Sequence, residues 1–284
     1  MLNLRSIVID RVVEELRHEY EQAYGLWEPE YKNILGWVAR LALENMANSD
    51  TVYHEMSHAI MVTLAGQQIL RGKHLIEGGV QPKDWLHVMT AALFHDIGYV
   101  RGICRGDAGE KVATGTNGEL VLFPEGGSNA CLAEHHVNRG KLFVHERFDG
   151  HPIIDAKVVS SYIEMTRFPA PDDEWYQDTA GYPGLVRAAD LIGQLGDPDY
   201  LRKVPALYYE MAETGAAQSM GCLSPGMLRK NYALFYKETI SRFIRDGLRF
   251  LEVTQDGKQW IANLHAHVFA ALDSADSVSG TVEA

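Results

Sequence analysis

The most chemically loaded pair in the chain sits at the end of an apolar run. Between Trp85 and Gly98, Leu86, Met89, Leu93 and Ile97 recur at helical spacing, which predicts a buried helix ending near Gly98. His95 and Asp96 stand together at its C-terminal end. An unpaired carboxylate in apolar surroundings is costly. A metal ion would neutralise it and take the imidazole as a second ligand. Alone, the dipeptide reads equally well as a hydrogen-bonded core pair.

Partners for such an ion are present on both sides. Upstream, Tyr53-His54-Glu55-Met56-Ser57-His58-Ala59 places His54 and His58 four residues apart, on one face of a helix expected from Thr51 towards Leu70. That spacing suits two ligands of one metal, or one ligand beside one acid–base group. Asp50 or Thr51 would cap this helix. Downstream, Asp190 lies in Arg187-Ala188-Ala189-Asp190-Leu191, where small neighbours permit close helix approach and a buried carboxylate needs a counter-charge. Between the two lies Glu134-His135-His136, on another expected helix. A His/Asp set without thiolates favours iron, manganese, zinc or magnesium. It leaves positions open for water and substrate, as catalytic sites do.

The order His, His-Asp, Asp resembles the HD-domain metal-dependent phosphohydrolase superfamily. More narrowly, Tyr53-His54…His58-Ala59, Phe94-His95-Asp96 and Ala189-Asp190-Leu191 are similar to the cyclic-nucleotide phosphodiesterase pattern, over residues 53–191. The resemblance implies His58, His95, Asp96 and Asp190 as ligands of a first divalent metal, with Asp96 bridging to a second. It implies His54 as the acid that protonates the leaving oxygen, and His135 or His136 as ligands in a two-metal centre. The chemistry that follows is attack of metal-activated water on phosphorus. Arg101 and Arg105, just past the central helix, are candidates to grip phosphate as forked donors, or are salt-bridged surface residues. The chain departs from the pattern at Ile97-Gly98-Tyr99, where Asp and His are usual after the third position, and at Glu55, where asparagine is expected. No counterpart of the base-recognising glutamine and aromatic clamp is identified. Di-iron members of the superfamily that cleave with oxygen are the alternative reading, as is a catalytically silent, metal-bound ligand-sensing module.

The elements that must position these groups are helical. Ser6 to Tyr24 is amphipathic. Glu28 to Met46 follows, with Pro29 in its first turn and Ile34, Leu35, Trp37, Val38, Leu41 and Leu43 as its buried stripe. Helical pattern resumes over 128–138, from His151-Pro152 to Met165, over Pro183 to Leu195, Met227 to Leu251 and Gly257 to Leu272. Phe168 to Trp175 is a loop. Pro198, Pro205, Gly215 and Pro225 punctuate the region between Leu195 and Met227. The alternation of Lys111 to Phe123 about Thr116-Asn117-Gly118 predicts a small β-hairpin or lid near 105–125. The expectation is an all-α, HD-type helical bundle forming a single domain over 1–284. Its metal-site core spans about 51–195, with helices 6–46 and 227–272 packed on it and a frayed tail over 273–284.

Bulk properties narrow the function. The chain has 284 residues, 46% of them hydrophobic, enough for a large core. A formal net charge of −12 without a basic run argues against a nucleic-acid polymer as partner. The expected partner is a small-molecule phosphoester, and a homo-oligomer is compatible with the sequence. The cysteines Cys104, Cys131 and Cys222 offer neither zinc spacing nor a disulfide framework, which suits a reducing cytoplasm. No signal peptide is read, and no apolar run approaches a membrane span.

Overall fold

The computed structural model describes residues 3–279, with side chains described through Leu272. It is all-α apart from one small hairpin. Helix α1 (Leu4–Tyr24) starts where the Asn3 side chain accepts the Arg5 and Ser6 amides, and it stops at Gly25 in a positive-φ conformation. Helix α2 (Pro29–Met46) opens on Pro29, whose missing N–H costs nothing there. Its stripe differs from the expected one. Gly36, Ala39 and Ala42 are buried with Leu35, Val38 and Leu43, while Trp37 is about half exposed and lies edge-on to Phe148. Packing against α1 and α4 rewards small residues on that face.

Helix α3 is Met56–Glu77. The expected start at Thr51 is corrected. Thr51 uses its hydroxyl on the His54 carbonyl and Asp50 accepts the Asn129 amide, so neither caps the helix. Helix α4 (Pro82–Phe94) is held by a reciprocal Gln81–Asp84 capping box. It ends before the His-Asp pair rather than at Gly98. His95 is its last half-helical residue, and Ile97–Tyr99 form a 3-10 turn.

The hairpin pairs β1 (Lys111–Ala113) with antiparallel β2 (Leu120–Leu122). Its tip turns through Asn117 and Gly118, both at positive φ. It is docked, not free. Arg139, wholly buried on α5 (His136–Phe148), donates to the carbonyls of Gly98, Val100 and Ala113 and forks onto both oxygens of Asp107. The helix expected over 128–138 is instead a 3-10 turn, Asn129–Leu132, followed by α5 from His136. Helix α6 (Ala156–Glu164) starts under an Asp155 cap, later than the expected His151-Pro152.

Helix α7 (Tyr182–Leu195) matches its expected span within a residue. Then come α8 (Tyr200–Glu213) and the short α9 (Ala216–Ser219), in a stretch that the sequence reading treated as punctuation. Helix α10 (Pro225–Phe235) passes through a π turn, Tyr236–Ile240, into α11 (Ser241–Leu251). Helix α12 (Gln255–Ser279) runs past the point where the tail was expected to fray. Residues 280–284 of that tail lie outside the described residues. Among the described residues no helix is long and apolar enough to cross a membrane.

Two large apolar clusters form most of the core, and a small third one, Val112, Phe123 and Leu132, lies at the hairpin. Of the large ones, one joins α1, α2, α4, α5 and α6; the other joins α7, α8, α10, α11 and α12. Helix α3 feeds both, with Ala59, Ile60 and Leu70 in the first and Val62, Ala65 and Ile69 in the second. Residues of α4 and α7 are also divided between them. The His/Asp residues lie along this partition.

Candidate metal centre

Helices α3 and α7 pack at backbone distance. A Cβ on Gly193 would lie 2.6 Å from the Val62 Cα, and one on Gly66 would lie 3.3 Å from the Ala189 Cβ. Only small residues allow this, as the sequence around Asp190 implied. The approach brings His58, on the first turns of α3, against Asp190 on α7. Helix α4 delivers His95 and Asp96 from its C-terminus. The chain must then turn tightly against α5: a Cβ on Gly98 would lie 1.9 Å from the His136 carbonyl oxygen, so that position takes only glycine.

Donor atoms of His58, His95 and Asp190 converge, and Asp96 Oδ2 lies beside the two imidazoles. His58 Nε2 is 3.4 Å from Asp96 Oδ2, from Asp190 Oδ1 and from His95 Nε2. His95 Nε2 is 3.1 Å from Asp96 Oδ2 and 3.5 Å from Asp190 Oδ1. An ion with bonds of about 2.0–2.1 Å sets tetrahedral neighbours about 3.4 Å apart and adjacent octahedral ones about 3.0 Å apart. The observed separations, 3.1–3.5 Å, overlap that range. His58, His95 and Asp190 thus form a group able to hold a metal ion, their ligand atoms all within 4.8 Å of one another.

Two further observations fit the same group. His95 Nδ1 lies 2.8 Å from the Ala92 carbonyl, which fixes a proton there and leaves Nε2 facing the cluster. Asp96 Oδ2 is wholly buried, yet it has no hydrogen-bond partner. A native interior seldom leaves a carboxylate oxygen in that state unless something else engages it.

Electrostatics point the same way. Burial opposes a charged His95, but Asp96 and Asp190 outweigh it, so its pKa is pushed up to about 9. Burial likewise opposes the Asp96 carboxylate, but the His95 imidazole, with His54 and His58, drives its pKa well below the usual range. Two carboxylates here demand positive charge, and a proton and a metal ion compete to supply it.

Beside the cluster stands a second arrangement. His54 is not on the face of α3; it precedes the helix, in the turn 51–55. Its ring still reaches the site, 5.5 Å from that of His58. Its Nδ1 is 2.6 Å from Glu210 Oε2, and Glu210 Oε1 accepts the Tyr53 and His54 amides. Burial works against the His54 cation, but the Glu210 bond and the nearby carboxylates Asp96 and Asp190 prevail and raise its pKa. Glu210, on α8, belongs to this arrangement, and no sequence motif marks it. Tyr99 lies between the His54 ring, 4.9 Å away and tilted 11°, and the His136 ring, 4.5 Å away and tilted 17°.

Of the paired histidines, His136 reaches the site. Its Nε2 is 3.7 Å from Asp96 Oδ1, and its Nδ1 bonds the Ala133 carbonyl. Burial holds its pKa below the ordinary value despite Asp96. His135 makes no side-chain hydrogen bond, ion pair or ring contact among the described residues, and Glu134 is exposed. Arg101 and Arg105 are engaged away from the cluster. Arg101 lies over the Phe123 ring, and Arg105 bonds the side chain and backbone of Glu146. His87 is a packing residue whose Nε2 accepts the Asp155 amide. The centre is closed on one side, where His58, His95 and Asp96 are buried. It opens where His54, His136 and Asp190 keep partial exposure.

In comparison with known proteins, the model of a family described as Npun_R2479-like matches residues 2–274. No curated protein and no solved structure matches.

Proposed function

We propose that this chain, which belongs to the Npun_R2479-like family, is an HD-type metal-dependent phosphohydrolase that cleaves a phosphate ester of a small, nucleotide-like molecule. The observation that carries the reading is the convergence of His58, His95, Asp96 and Asp190 beside an imidazole paired with a carboxylate. Those four residues would hold a divalent cation. Such an ion supplies Lewis acidity at a phosphoryl oxygen and lowers the pKa of water to about neutrality.

The protein's own groups do the rest. Glu210 fixes the His54 Nδ1–H and thereby directs Nε2 away from itself. His54 Nε2 then holds the proton that passes to the departing ester oxygen, a role fitted to an imidazole. The buried wall of the site keeps solvent from the carboxylates and strengthens every charge interaction there. His136, facing the second oxygen of Asp96, is placed to assist a second ion. That same placement favours the di-iron, oxygen-dependent reading as the alternative.

Elemental analysis joined to a phosphoester panel tests the assignment. One or two divalent ions per chain are expected, with ester cleavage in manganese or magnesium. His54→Asn should lower turnover by about 10²–10⁴-fold while leaving metal content unchanged. Two irons with substrate-dependent oxygen uptake would favour the oxygenase instead. Bound metal with no turnover of any phosphoester would leave a sensing module.

A further inference from the structure

The candidate ligands His58 and Asp190 stand on two helices, α3 and α7, and a third helix ties those two together. Lys203, on α8, places Nζ 2.6 Å from Ser57 Oγ and 2.6 Å from Asp197 Oδ2. Ser57 directly precedes His58 in the first turn of α3. Asp197 lies two residues past Leu195, the last residue of α7. The Lys203 side chain is 25% exposed and that of Asp197 7%, so the link is largely sheltered from solvent. Asp197 is itself held, because its Oδ1 accepts the Asp199 amide. Helix α3 needs such a hold. It starts without a side chain capping its first amides, and helix ends fray. Lys203 is not a cap: a cation beside a helix N-terminus opposes the helix dipole, and Asp197 offsets that cost. What the ammonium supplies is a fixed distance, since it donates to the Ser57 hydroxyl on one side and to the Asp197 carboxylate on the other. About two turns further along the same face of α8, Glu210 accepts the Tyr53 and His54 amides. One helix thus grips the entry to α3 at residues 53–54 and again at Ser57.

We propose that Lys203 is a positioning residue for the metal centre: by tying Ser57 to Asp197 it holds His58 at ligating distance from Asp190, an inference that rests on the metal-binding part of the function proposed above. The tie acts through Ser57 alone on the α3 side. Ser57→Ala therefore cuts it without altering the charge of the site, and the Lys203–Asp197 pair stays in place. Lys203→Met breaks it from the other side.

The test measures manganese binding to the full chain by calorimetry, in wild type and in each variant. Ser57→Ala should bind manganese about tenfold more weakly, at the low end of what a lost partner behind a ligand costs. Lys203→Met should also bind it more weakly. Loss of a nearby cation would by itself tighten cation binding, so weaker binding there marks geometry and not charge. Cobalt-loaded Ser57→Ala gives a readout that a general loss of stability would not move: its visible bands should differ from those of the wild type, because they follow ligand geometry. Wild-type manganese affinity in Ser57→Ala, unchanged or tighter binding in Lys203→Met, or superimposable cobalt spectra each overturn the proposal and leave the metal centre standing. A wild type that binds no manganese overturns both.

Discussion

Arg139 and Asp96 are both charged, both buried, and both placed where the segment after α4 meets α5. Their surroundings differ. A guanidinium has five N–H donors, and Arg139 uses all of them, on the Gly98, Val100 and Ala113 carbonyls and on both Asp107 oxygens. Asp107 in turn accepts the Gly102, Cys104 and Ala113 amides. Asp96 instead shares its space with three imidazoles and leaves Oδ2 without a hydrogen bond. A saturated buried charge fixes the chain's path. An unsaturated one leaves an acceptor to spare.

The largest effect should come from breaking the saturated node. Arg139→Met strands Asp107 and the carbonyls around it, and breaking one side of such a buried pair costs about 3–5 kcal/mol. Urea denaturation reads this directly; a loss below about 1 kcal/mol would erase the contrast. The unsaturated node should respond to ligand instead. With manganese or zinc at a hundred times its dissociation constant, the wild type gains about 2.7 kcal/mol, seen as a rise in melting temperature. Asp96→Asn should abolish that rise while costing the ion-free protein far less than Arg139→Met does. Comparable ion-free losses from the two variants would show that both nodes are structural.

The smallest expected effect tests a neutral acceptor of the saturated kind. His87 Nε2 accepts the Asp155 amide, and burial holds its pKa below the ordinary value. The unfolded chain therefore takes up the proton first. His87 contributes fully above its unfolded pKa of about 6.5, and stability is lost as pH falls through that value towards the folded one. Between pH 7.5 and 5.5 the wild type should lose about 1 kcal/mol, the worth of one hydrogen bond, beyond any loss in His87→Gln. Parallel melting curves for the two proteins would remove His87 from this account.

The residues of the candidate centre were legible because residue type and order alone single them out. His58, His95, Asp96 and Asp190 need only the right side chain, and the long helices on which they depend carry strong apolar periodicity. Glu210 was not legible, because Pro205 made its helix look broken. Yet Pro205 lies on the exposed face of α8, and Tyr200, Val204 and Leu207 mark a buried stripe whose next place is taken by Glu210. A carboxylate in an apolar stripe was the available signal. His54 was assigned to the helix through its i, i+4 spacing, whereas the Thr51 hydroxyl and the Glu210 carboxylate hold it in the preceding turn. The hairpin was legible from its Asn117-Gly118 turn. Its anchoring was not, since nothing local to Arg139 tells which distant carbonyls it will meet.

The seam of small residues between α3 and α7 also restricts how the gene can change. Each residue added to a helix turns everything beyond it by about 100°. An insertion between Tyr182 and Asp190 would swing that carboxylate off the seam, whereas the Phe168–Trp175 loop can absorb extra length without turning α7 at all. Drift in chain length among descendants of this protein is thereby channelled into the loop and barred from the first turns of the helix that follows.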